Sequence, residues 1–147
     1  MVIYCTTLED AYYFLSQVKH SPSIKSVQVS WQRQLRACIL FSWIALEEVL
    51  DGAVKRLRKT GTLREPVANS LAGRLRQVLQ TKGVDHQQGA DFKRLRKLRN
   101  EIVHPKETDV SEETPLTVQQ AEGTFHFCLG LMRAIYYVPV HVRGLLD

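Results

Sequence analysis

Leu35-Arg36-Ala37-Cys38-Ile39-Leu40-Phe41-Ser42-Trp43-Ile44-Ala45-Leu46-Glu47-Glu48-Val49-Leu50-Asp51-Gly52-Ala53 is apolar around more of its circumference than a surface helix needs. At about 100° per residue, Leu35, Ile39, Ser42, Leu46, Val49 and Ala53 form one stripe that continues to Leu57. Phe41, Trp43, Ile44 and Leu50 widen it. A helix of this kind has to be enclosed by other helices or meet a partner. Working outward, the pattern extends from about Ser26 to Thr60, and Gly61 is a natural stop. Upstream, Thr7-Leu8-Glu9-Asp10 opens a first helix with a capping hydroxyl and early acids, and Ser21-Pro22-Ser23 breaks it after His20. Downstream, Pro66 is expected in the first turn of a third helix carrying Val67, Leu71, Leu75, Val78 and Leu79.

Gly83 to Gly89 reads as a polar loop, and a fourth helix runs from about Ala90 to His104. Pro105 to Pro115 is an acidic connector without apolar period. Thr117 caps a last helix through about Tyr137, closed by Pro139. No strand-like alternation, Gly-rich phosphate loop or internal repeat is visible. The expected fold is all-α: a four-helix up-and-down bundle with an additional N-terminal helix, as one domain over residues 1–147.

Hydrophobic content of 44% and charged content of 24% are ordinary for a globular chain. The longest apolar run, Ala37 to Leu46, is interrupted by Ser42 and too short to span a bilayer. No basic region precedes an apolar run at the N-terminus, so no secretory signal is expected. Cys5, Cys38 and Cys128 are odd in number and widely spaced, which gives neither a disulfide framework nor a zinc pattern. A reduced, cytoplasmic setting without metal or cofactor follows as the expectation. The net charge of +5 hides an asymmetry. Lys55 to Arg99 holds 13 Lys and Arg against Glu65, Asp85 and Asp91, a balance of +10, whereas Asn100 to Glu122 holds six acids against Lys106, a balance of −5. Such a basic middle suits an anionic partner such as nucleic acid, although solvated helix faces carry the same residues.

Within that fourth helix stands Arg94-Leu95-Arg96-Lys97-Leu98-Arg99-Asn100-Glu101-Ile102-Val103-His104, followed at once by Pro105. Phe92, Leu95, Leu98, Ile102 and Val103 fall on one apolar arc, and Arg99 points into its middle. Asn100 and His104, four apart, stack on a neighbouring face. Arg99 and His104 diverge by roughly 140° on a regular helix. An Arg within an apolar arc is costly unless paired. One reading makes Arg99 structural, bonded to Glu47 or Asp51; the other makes it a phosphate-facing group at a subunit interface. With 12 Arg and 5 His in the chain, roughly 0.4 pairs at this spacing arise by chance. The weight therefore comes from the accompanying Asn, the inward Arg and the helix stop, not from spacing alone. The other histidines, His20, His86, His126 and His141, lack metal-like spacing and read as surface or capping residues.

A small all-α bundle with a wide apolar helix and Arg99-Asn100-Glu101-Ile102-Val103-His104 at the end of a later helix resembles the HEPN superfamily. The similarity spans about Ser26 to Tyr137. Glu47, in Ala45-Leu46-Glu47-Glu48-Val49-Leu50-Asp51, matches the acid that related sequences often carry in the long helix. The resemblance implies a metal-independent endoribonuclease whose two motifs converge in one homodimer cleft, with Arg99, Asn100 and His104 catalytic and Glu47 in support. Toxin or phage-defence nucleases of this kind act beside an antitoxin or regulatory protein. Related toxins often carry Tyr two residues after the His; here that position is Lys106, so nucleotide modification there is not implied. Arg94, Arg96 and Lys97 are the expected RNA-backbone contacts. The alternatives are a non-catalytic module of the same family that binds nucleotide, RNA or a partner protein, and a structural dimerisation bundle.

Overall fold

The wide apolar helix becomes α2, Gln28–Lys59, and everything else packs around it. The computed structural model describes residues 2–20, 28–84, 89–104, 115–142 and 145–146. Among these, α1 (Thr6–His20), α2, α3 (Leu71–Thr81), α4 (Gly89–Val103) and α5 (Val118–Ile135) form the all-α bundle expected from the sequence, with its additional N-terminal helix. Two short strands, β1 (His141–Val142) and β2 (Leu145–Leu146), add an antiparallel hairpin. Two-residue strands are too short to show alternation, and sequence reading did not anticipate them.

The added helix α1 is an integral part of the core. Leu8, Ala11, Leu15 and Val18 are all buried, and α1 makes its most extensive contact with α2. The two run antiparallel: the Thr7 hydroxyl donates to the Glu48 carboxylate at 3.0 Å, and Phe14 stacks on Phe41 at 5.7 Å. In contrast, α5 runs parallel to α2. Gln32 clamps Leu116, with its side-chain amide donating to the carbonyl at 2.9 Å and its oxygen accepting from the backbone N–H at 2.8 Å. Higher up, Cys38 faces the Ala121 carbonyl and Trp43 meets Phe127. Trp43, Phe125, Leu46, Leu50 and Met132 are fully enclosed between these helices. Ser42, the polar break in the apolar run, is buried without penalty because its hydroxyl donates to the Cys38 carbonyl at 2.7 Å.

Helix ends follow local chemistry. Gly61 adopts φ 75°, a left-handed conformation that Gly takes at no steric cost, and α2 ends before it. Thr117 caps α5 in a full capping box with Gln120. The third helix departs from expectation. It starts at Leu71, capped by Ser70, and not at Pro66. Gln77 explains this: its side chain accepts from Ala68 N–H at 3.0 Å and donates to the Pro66 carbonyl at 2.9 Å, holding 66–68 as a non-helical lead-in. At the other end, α5 stops at Ile135, two residues early, because Tyr137 leaves the helix to pair with the N-terminus; Ile3 N–H donates to the Tyr137 carbonyl at 2.8 Å.

Candidate functional site

Phe92 and Leu95 anchor α4; both are buried, and Phe92 meets Trp43 edge-on at 5.4 Å. Towards its C-terminus α4 stands off the core. Leu98 and Ile102 are half-buried, and Val103, expected on the buried arc, is 46% exposed. Among the described residues the apolar arc is therefore only partly covered.

Arg99 turns inward as its place in the arc requires, leaving 24% of its side chain exposed. Its Nη1 lies 3.9 Å from Glu47 Oε1 on α2. Asp51, the other carboxylate proposed for it, pairs instead with Arg74 at 3.4 Å. Arg99 Nε is buried and has no hydrogen-bond partner among the described residues. The guanidinium is thus weakly held: the separation is long, and Glu47 is 40% exposed. Partly solvated pairs of this kind contribute about 0–1 kcal/mol.

Asn100 and His104 lie on the outer surface. His104 follows the last residue of α4, as expected for a helix end, and its N–H donates to the Asn100 carbonyl at 2.8 Å. Pro105, the expected stop, and Lys106 lie outside the described residues. No hydrogen bond or ion pair joins Arg99 to Asn100 or His104 among the described residues. The divergence anticipated from helical geometry is therefore present within one chain.

The three basic residues expected to hold RNA differ in availability. Lys97 is exposed and shares the outer face with Asn100 and His104 through its three- and seven-residue spacings. Arg94 is exposed but paired with Asp91 at 3.3 Å. Arg96 lies over the Phe92 ring at 5.9 Å from its centre and is half-buried. His126 is exposed and 3.9 Å from Glu122, as befits a surface histidine, while His86 falls outside the described residues. No group of three or more His, Cys, Asp or Glu close enough to hold a metal occurs among the described residues. No described helix is long and apolar enough to cross a membrane.

A second cluster escaped the sequence reading. The C-terminal ends of α2, α3 and α5 border a groove of about 540 Å³ lined by Arg56, Lys59, Lys82, Arg133 and Tyr136. Its residues come from three separated segments. The only signal for it in the sequence is the +10 balance between Lys55 and Arg99, which contains three of its four cations.

Comparison with family models, with curated proteins and with solved structures finds no match to this chain.

Proposed function

We propose that this protein is a metal-independent endoribonuclease acting at a site composed from two copies of the chain, in the manner of HEPN toxin or defence nucleases. The observation that carries this reading is the state of Arg99: a largely buried guanidinium with an unsatisfied Nε and a stretched ion pair, on the helix that displays Asn100 and His104. A charge placed to stabilise the fold normally has its donors satisfied. Arg74 Nε beside Asp51 is open in the same way, so the open donor of Arg99 counts here because Arg99 shares a helix with Asn100 and His104.

In this reading His104 of one copy takes the proton from the ribose 2′-hydroxyl, whose oxygen attacks the adjacent phosphorus. The P–O5′ bond breaks, and His104 of the second copy protonates the leaving oxygen. The products are a 2′,3′-cyclic phosphate and a 5′-hydroxyl end. Arg99 neutralises the charge of the pentavalent state through its forked donors, and Asn100 orients the imidazole or the phosphate. Lys97, Arg94 and Arg96 hold the flanking backbone. Glu47 sets the resting position of Arg99. The partly uncovered turn at Leu98, Ile102 and Val103 supports contact with a second copy. An antitoxin or regulatory protein is the further partner that this biology entails.

The Arg99–Glu47 ion pair favours a second reading, in which the trio is structural and the chain is a non-catalytic module binding nucleotide, RNA or a partner protein. One assay separates the two: purified protein is incubated with labelled RNA in excess chelator. Cleavage to cyclic-phosphate ends, lost in both Arg99→Ala and His104→Ala, supports the nuclease. Cleavage that needs metal, or that survives both substitutions, overturns it.

A further inference from the structure

The groove at the ends of α2, α3 and α5 involves none of the motif residues. Arg56 and Lys82 both stand over the Tyr136 ring, at 5.1 and 4.7 Å from its centre. Lys59 completes the set on α2, and Arg133 contributes from α5, its Nε donating to the Val138 carbonyl at 3.0 Å.

Cations at helix C-termini have an ordinary explanation, since they complement the negative ends of helix dipoles. The magnitudes show that this is not enough. Each helix end carries roughly half a negative charge, so three ends supply about one and a half. Arg56, Lys59 and Lys82 supply three positive charges, and no carboxylate lines the groove or forms an ion pair with them among the described residues. These three cations alone leave the groove with a surplus of about one and a half charges.

The walls contribute a second property. Leu57, Ile135 and the exposed Tyr137 ring make an apolar border beside these cations. An inorganic ion would use only the charge; a ligand that is anionic at one end and planar or apolar at the other uses both.

We propose that this groove binds a phosphate monoester carried on a planar or apolar body. The dianion meets Arg56, Lys59 and Lys82, and the body rests against Tyr137 and Leu57. Two sources present this chemistry: a free mononucleotide and the 5′-phosphorylated end of a nucleic acid chain.

Isothermal titration at low salt tests the site with AMP, adenosine, inorganic phosphate, and an oligodeoxynucleotide with and without a 5′-phosphate. The oligodeoxynucleotide has no 2′-hydroxyl, so the ribonuclease reading does not bear on the result. AMP is expected to bind saturably, adenosine at least about tenfold more weakly, and inorganic phosphate to displace AMP. Arg56→Gln/Lys82→Gln is expected to weaken AMP binding about tenfold or more with an unchanged circular dichroism spectrum. Should that variant fail to fold, Lys59→Gln, at an exposed helix end, tests the same charge. Arg99→Ala/His104→Ala should bind AMP like the native protein. Binding confined to the 5′-phosphorylated oligonucleotide identifies a chain end as the source and leaves the proposal standing. The proposal is overturned if no phosphate ligand saturates, if adenosine equals AMP, or if neutralising these cations in a folded variant leaves affinity unchanged.

Discussion

Arg99 Nη1 lies 3.9 Å from Glu47 Oε1, so the guanidinium turns back upon α2 and away from His104 on its own helix. The pair is long and partly solvated, which limits its contribution to stability to about 1 kcal/mol or less. Arg99→Met keeps the apolar stem and removes the charge. Urea unfolding is expected to show a loss of less than about 1 kcal/mol. RNA cleavage should fall roughly 100- to 1000-fold, the scale seen when one charge-stabilising donor is removed. A loss of several kcal/mol with cleavage intact would mark Arg99 as a structural tie.

His104 is exposed and forms no side-chain hydrogen bond among the described residues. His104→Ala should therefore leave stability within about 0.5 kcal/mol. The same variant should remove cleavage and relieve any growth arrest caused by expression. Stability is read by thermal melting and growth by colony counts, and arrest that persists would separate toxicity from the imidazole.

Trp43 joins three helices. It is fully buried, meets Phe92 at 5.4 Å and Phe127 at 6.4 Å, and belongs to the most enclosed part of α2. Trp43→Ala is expected to cost about 3–5 kcal/mol through the cavity it leaves. Trp43→Phe should cost much less, because the indole N–H it removes has no partner among the described residues. Chemical denaturation of the two variants checks the order.

Burial pushes the Cys38 thiol up to about 12, against the opposing hydrogen bond from Ser42, and raises Cys128 further still through burial and its nearness to Cys38. Both are protonated in either state below the ordinary thiol value of about 9. Above it the unfolded chain releases protons that the folded chain retains, so stability is present below pH 9 and falls as pH rises towards 12. Each thiol contributes a slope of about 1.4 kcal/mol per pH unit in that window. Unfolding measured from pH 8 to 10.5 should show a shallower decline in Cys38→Ala/Cys128→Ala. Equal slopes would contradict the assigned burial.

What could be read from residues alone depended on how local the cause was. The Gly61 stop, the Thr117 cap and the enclosed α2 rest on neighbours a few positions apart, and the structure shows each of them. Pro66 misled because the decisive partner, Gln77, is eleven residues away and reaches back through its side chain. Val103 was placed on the buried arc by angle, but angle does not say how far along α4 the bundle extends. For the site, the inward course of Arg99 followed from helical geometry, which left Glu47 and Asp51 open as its partner; the structure pairs it with Glu47. The groove around Tyr136 did not, since only folding brings Arg56, Lys82 and Arg133 to one place.

The course of α1 bears on how the chain folds. Tyr12 lies 5.5 Å from Phe125, and Lys19 reaches Glu122, 103 residues further on, at 3.2 Å, so α1 is completed by α5. Until α5 packs, the face of α1 that meets Phe125 lacks its partner. Closure of this part of the core must await α5, so it rests on contacts between distant segments of the chain.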